Sequence, residues 1–392
     1  MSSIRIFYQN RKYFASAFLY TCFSLIFSTW VTYIPHISEK LEINEAKIGN
    51  AIFFSALGAF FMIRICRHFI DKVGVGRYAY FALISYCICF FGPFLAFDYV
   101  SLCVSMFIFG MAGSSLAISL NSLTATIEKQ DKIYVMSGSH GFWSIGGMIG
   151  AATGSFIAAW AQNPLIHISI LVLVILIIET KLKKHYYHRK GEHFDIVKKR
   201  MSAHLKPLFL IALIGLVIMV SEGAIADWSA LYLKKVIQLD LQYIGFGYAA
   251  FAAAMMIGRF SGDSLSRKLG SWKLITIAII IGIFGFALVL VFDPLISILG
   301  FFVVGLGFSV VVPEVYRLAS NVEGIKTADA VSFVAATTNI GFMLGPVALG
   351  YIAELKSLHL SFIVLTAFVS IAFFISFWKY NTSKSNLRLS VS

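Results

Sequence analysis

Charge is what this chain has least of. Lys, Arg, Asp and Glu make up 13% of its 392 residues, where a soluble domain carries about 25%. Hydrophobic residues reach 59% and mean hydropathy is +0.83. A soluble fold of this length could not hide so much apolar surface. Cysteine is scarce as well. The five present, Cys22, Cys66, Cys87, Cys89 and Cys103, sit in or beside apolar runs of the first third. They form no disulfide framework, and no Cys/His set has zinc spacing. No G-x-x-x-x-G-K-[ST] loop occurs, so ATP-driven work is unsupported. No Arg-rich voltage-sensing helix occurs either. No soluble stretch is large enough for an enzyme domain, and none brings together paired carboxylates or a Ser/His/Asp set. The expectation is an integral membrane protein with no enzymatic activity, no cofactor and no metal.

What remains is apolar sequence in long pieces. A membrane-crossing helix needs about 20 mostly apolar residues. Twelve runs qualify, near 13–35, 46–69, 77–97, 100–123, 134–161, 164–181, 207–233, 240–262, 271–292, 294–317, 328–353 and 357–379. The first follows Arg11-Lys12, exceeds a signal peptide's apolar core, and has no small-residue cleavage site after it, so it reads as a retained helix. The long hydrophilic stretch lies mid-chain. Residues 1–180 therefore read as one six-helix bundle, 181–206 as a solvated linker, 207–380 as a second bundle and 381–392 as a disordered polar tail. The fold class is all-α, with twelve transmembrane helices.

Charge placement sets an orientation. The net charge of +13 alone suggests nucleic acid. With both termini inside, however, 27 of the 32 basic residues fall on inner segments, Arg259 counted among them, and five on outer ones. That is the positive-inside asymmetry of an inner-membrane protein. A nucleic-acid partner drops out. Bilayer lipid, a small-molecule substrate and protons remain as expected partners of a monomer.

The two halves repeat. Ile48-Gly49 recurs as Ile244-Gly245 and Gly74 as Gly270, at an offset of 196. Gly110 recurs as Gly305, and Ile145-Gly146-x-Met148-x-Gly150 as Ile340-Gly341-x-Met343-x-Gly345, at 195. Two six-helix halves duplicated in one orientation resemble the parallel-repeat architecture of the major facilitator superfamily. The loop after the second run, Arg67-x-x-x-Asp71-Lys72-x-Gly74-x-Gly76-Arg77, is similar to that superfamily's signature there, with Arg67 in place of its first glycine. The resemblance implies a cytoplasmic gate. Asp263-x-x-x-Arg267-Lys268-x-Gly270 stands at the matching place with charge order inverted, each Arg/Asp pair spaced to bridge locally. Glu314 and Arg317 share a helix face at the inner boundary, as a local ion pair or a further gate contact.

Polar groups inside a span are functional candidates by default. Glu222 lies roughly 22 Å from Pro207 along the seventh helix, near the midplane, and Asp227 roughly 30 Å, near the outer boundary. Five residues apart, they point about 140° away from each other and form no tight dyad. Glu222 is the first choice for coupling; Asp227 serves the cavity or an outer cap. In the first helix Ser28, Trp30 and Tyr33 suggest a polar wall with a stacking floor for a ring, or an aromatic belt. Asn121 and His140 meet across an antiparallel pair, and His167 reads as interfacial. Asn339 falls near the midplane of the eleventh helix and aligns with Ser144 at the repeat offset.

Three stretches are similar to the MosC-like branch of the superfamily, with its YbjJ-type inner-membrane proteins. They are Glu222-Gly-x-x-x-Asp227-Trp228-Ser229-x-Leu231-Tyr232-Leu233, Met136-x-x-x-His140-Gly141, and Asn121 followed by Glu128. The resemblance spans nearly the whole chain. It implies alternating access in a bacterial inner membrane and, through kinship with sugar permeases, a sugar- or polyol-like substrate. Efflux of an amphipathic compound by proton antiport is the competing transport reading. A sensor or scaffold that keeps the fold and moves nothing is the reading from another class. A proton is preferred as coupling ion, although one carboxylate with nearby carbonyls also suits Na⁺.

Overall fold

The computed structural model describes residues 2–133, 135–160, 163–190, 207–323, 325 and 327–389, with the side chains of residues 2–5, 64, 67, 137, 263, 327–329, 332 and 383–389 outside the description. Among the described residues the chain is helical throughout. The elements are α1 Ser2–Gln9, α2 Arg11–Lys40, α3 Glu45–Val73, α4 Val75–Cys89, α5 Gly92–Leu95, α6 Tyr99–Asp131, α7 Met136–Trp160 and α8 Pro164–Leu182. The second half holds α9 Phe209–Lys235, α10 Phe246–Leu269, α11 Ser271–Val289, α12 Pro294–Phe308, α13 Val311–Ser320, α14 Thr327–Leu355 and α15 Leu358–Leu389. Twelve spans among them are long and apolar enough to cross a membrane, with α4–α5 and α12–α13 each making one. The end of α15 revises the tail: residues expected to be disordered continue the helix to Leu389.

Two compact units form. The first holds 1–196 and 240–249, the second 197–239 and 250–392. The sequence boundary thus shifts at one place, because the start of α10 belongs with the first unit: a Cβ at Gly245 would fall on the Ala151 carbonyl, and Ser155 Oγ donates to the Gln242 carbonyl at 3.1 Å.

The repeat has a packing cause. In the first unit a Cβ at Gly146 or Gly150 would run into the backbone of Thr21 or Leu25 on α2. In the second, Gly341 and Gly345 stand in the same relation to Leu216 and Val220 on α9, with each carbonyl 2.6 Å from where the Cβ would sit. Both members of each contact are displaced by 195 residues. Small residues let helix backbones approach closely in a membrane, where van der Waals packing replaces a hydrophobic drive. The helix ends repeat too. Asp98 accepts from Ser101 N at 2.7 Å to start α6, and Asp293 from Ile296 N at 2.9 Å to start α12. Gly74 and Gly270 take φ of 89° and 76° at the turns into α4 and α11, where an L side chain would be strained.

One departure from the repeat matters. α6 is a single helix of 33 residues, while its counterpart breaks between α12 and α13. Pro313 lies in the first turn of α13, where a missing N–H is tolerated; inside a continuous helix it would clash with the preceding turn.

Candidate functional site

The second unit carries an ion pair within its membrane spans. Glu222 projects from α9, and its Oε2 lies 4.0 Å from Arg259 Nη2 of α10, both side chains partly exposed. Gly223 makes the approach of α14 possible, since a Cβ there would stand 2.8 Å from the Phe342 carbonyl oxygen. Arg259, counted with the inner charges, lies in the last turn of the span Leu241–Gly262. Further along α9, Asp227 is 4% exposed and has no ion-pair partner among the described residues. Trp228 is buried, and its indole N–H donates to the Pro346 carbonyl at 3.0 Å, which ties α9 to α14. Asn339 is exposed, whereas Ser144, its repeat partner, is buried.

In the first unit Asn121 and His140 both gather on Tyr20. The Tyr20 hydroxyl donates to Asn121 Oδ1 at 3.0 Å and shares a hydrogen bond with Thr124 Oγ1 at 3.2 Å. The Tyr20 and His140 rings meet edge to face at 5.3 Å. Asn121 and His140 are exposed while Tyr20 is buried. The stacking floor is placed differently from expectation. Trp30 and Tyr33 are buried against Phe94, and the Tyr33 hydroxyl is hydrogen-bonded to His167 Nδ1 at 3.0 Å. His167, in the first turn of its span, is thus a buried partner of Tyr33. Ser28 Oγ returns to the Ser24 carbonyl at 2.8 Å, beside Gly150. The half-open rings are Phe23 and Phe27 of α2 with Trp143 of α7, Phe23 and Trp143 crossing at 4.5 Å. Sequence reading passed over these three because the hydroxyl groups of α2 and α7 are spread around both helices and mark no single open face.

Residues 14–323 match the family profile of the Major Facilitator Superfamily. The chain belongs to this superfamily. An uncharacterized transporter, y4wD of Sinorhizobium fredii, is 27% identical over 88% of this chain and 92% of its own length. The membrane protein MosC of Rhizobium meliloti is 27% identical over 90% of this chain and 86% of its own. The fold is shared with the nucleoside transporter NupG at a TM-score of 0.71 and 14% identity, covering 95% of this chain and 99% of that one. A bacterial homologue of the lysosomal transporter Spinster matches at 0.74 and 14% identity, covering 94% and 96%. The superfamily is one of membrane transporters, and the expected fold and family stand.

The loop that resembles the superfamily's gate signature has a neighbour the sequence did not announce. The linker was expected to be solvated from residue 181 onward, yet 183–190 folds back onto the first unit. Gly76 N donates to the Arg189 carbonyl at 3.1 Å, and a Cβ at Gly76 would fall on the Tyr186 carbonyl oxygen. Arg189 reaches Asp131 of α6 at 3.3 Å, and Lys12 of α2 holds the same carboxylate at 2.5 Å. Tyr186 is 1% exposed, and its hydroxyl donates to Glu179 Oε2 at 2.7 Å. Glu179, fully buried in α8, is a carboxyl group within a span that sequence reading missed, because it sits near the hydrophilic end of its run. Residues 191–206 lie outside the described part.

Asp71, Lys72 and Arg77 are exposed at this end, Arg77 lying over the Tyr187 ring at 5.6 Å. The side chains of Arg67 and Asp263 lie outside the described part, so the two local Arg/Asp bridges stay expectations; Arg267 is exposed. Glu314 is buried. Its Oε1 pairs with Arg317 Nη1 at 3.1 Å and its Oε2 accepts from Ser266 Oγ at 3.0 Å, a bond that fastens α13 to the end of α10 within the second unit.

Proposed function

We propose that this chain is a secondary active transporter that moves a small solute, a sugar or polyol by preference, across a bacterial inner membrane by alternating access, coupled to protons and with both termini in the cytoplasm. The observation that carries the coupling is the Glu222–Arg259 pair inside two membrane spans. A charge held at that depth is costly and is retained where it serves transport. The N···O distance of 4.0 Å is loose for an ion pair, so protonation of the carboxylate changes what the guanidinium attracts without rebuilding either helix. A polyol is favoured by the uncharged donors and acceptors of Asn121 and His140 around Tyr20, which suit hydroxyl groups. In this reading Glu222 carries the proton, Asp227, Trp228 and Asn339 support that half of the site, and the basic loops at Asp71–Arg77 and Asp263–Arg267 gate it.

The test uses proteoliposomes with an imposed pH gradient. A thermal-shift panel of sugars, polyols, amino acids and nucleosides, the last because a protein of the same fold carries them, first supplies a labelled ligand. Wild type accumulates it; Glu222→Gln abolishes accumulation and retains ligand binding and exchange. Undiminished gradient-driven accumulation by the variant overturns the role of Glu222. Ligand binding by wild type with no flux in either direction makes the protein a sensor instead.

A further inference from the structure

We infer that the first unit carries, at its basic end, a site for the headgroup of an anionic phospholipid, built from Arg77 and Tyr80 of α4 and from Lys183 and Tyr187 of the docked linker. Lys183 Nζ lies 4.6 Å from the Tyr80 ring centre and 5.9 Å from that of Tyr187. The Arg77 guanidinium lies 5.6 Å from the Tyr187 ring centre, and the two rings meet edge to face at 5.9 Å. A cation over an aromatic face is held in place but not neutralised. Neither Arg77 nor Lys183 pairs with a carboxylate among the described residues, and Glu179, four residues before Lys183, is buried and turned to Tyr186.

The ledge continues into apolar surface. Phe81 is one helical turn from Arg77 on the same face of α4 and is 53% exposed. Thr180 Oγ1 lies 3.5 Å from the Tyr80 hydroxyl, and Ile177, one turn back along α8, is 49% exposed. Two fixed cations at the end of an exposed apolar strip on membrane-spanning helices match a phosphate above its acyl chains. A free phosphate would use the cations alone; a phospholipid uses both parts, and the tyrosines sit where amphipathic rings favour the headgroup level. The site is separate from Glu222, and its test needs no knowledge of the solute moved.

The full-length protein in detergent is titrated with short-chain phosphatidylglycerol, with phosphatidylcholine of the same chain length, and with inorganic phosphate, reading the thermal unfolding midpoint. Phosphatidylglycerol raises the midpoint at concentrations where the other two do nothing, and added salt weakens the effect. Arg77→Gln and Lys183→Ala each weaken the apparent affinity by about fivefold, the share of one basic residue at an anionic surface. Lys47→Ala, which removes a cation over Tyr99 at the opposite end, leaves it unchanged. Arg77→Gln alone decides the matter if Lys183→Ala loosens the linker. Equal shifts by phosphatidylcholine or phosphate, or a wild-type response in Arg77→Gln, overturn the assignment.

Discussion

Tyr186 shows how much one side chain decides here. Its phenol is pushed far above the ordinary tyrosine range, first by burial and then by the adjacent Glu179 carboxyl, so it remains a donor at every physiological pH. Its acceptor, Glu179, keeps one oxygen with no hydrogen-bond partner. Tyr186→Phe therefore leaves a buried carboxyl group without its donor, an expected loss of about 1–3 kcal/mol. The loss is read as a lower unfolding midpoint together with faster proteolysis of the linker; an unchanged midpoint with an unchanged cleavage rate would show that the strap does not depend on this bond. Glu222 is the contrasting case. Its partner Arg259 is partly exposed, so Glu222→Gln is expected to change coupling far more than stability.

Helices in this chain are specified by their contacts and ends more than by amphipathic faces. Gly341 lets α14 lie on α9, and a leucine there would drive its side chain into the Leu216 backbone. Gly341→Leu is expected to cost about 1–3 kcal/mol by overpacking, seen as loss of monodisperse protein on size exclusion, and Gly146→Leu should do the same to α2 and α7. Capping offers a milder test. The Asp98 carboxylate is held below the usual carboxylate range by the Ser101 N–H and then by the Ser101 hydroxyl. A lowered folded-state pKa means its contribution is complete above about pH 4 and fades as pH falls through the folded value. Melting curves of wild type and Asp98→Ala should thus differ at pH 7 and converge in acid. A gap that persists at the lowest pH would assign the effect to something other than the ionised cap.

Across the whole chain, the proposed orientation rests on basic residues concentrated at one set of helix ends. A green fluorescent reporter fused after Ser392 is expected to fluoresce and an alkaline phosphatase fusion to be inactive; the reverse pattern would invert the proposed topology. The spans were legible because hydrocarbon tolerates only long apolar helices whose backbone bonds are internal. The repeat was legible because glycine is hard to replace where two backbones meet. Arg259 was legible as a charge in the last turn of its span, but its partner was not, because hydropathy says nothing of which neighbouring helix a charge faces. Trp30 and Tyr33 read as open because hydroxyl groups surround them in sequence, yet those hydroxyl groups bond back to their own helix and the rings are covered by Phe94. The linker was taken as solvated because its docking on Gly76, Gln130 and Asp131 joins residues distant in sequence.

The amino-acid sequence alone determined the membrane class, the twelve spans, the doubling into two related halves and the presence of Glu222 at membrane depth. Each of these follows from local composition or from a constant offset, and needs no knowledge of which helix faces which. Tertiary structure decided that Glu222 stands opposite Arg259, that Asn121 and His140 converge on Tyr20, and that residues 183–190 close over the loop at Gly76. Those pairings depend on the rotation of each helix about its axis. Uniformly apolar helices leave that rotation to packing, and the packing is set by where glycines allow two backbones to meet.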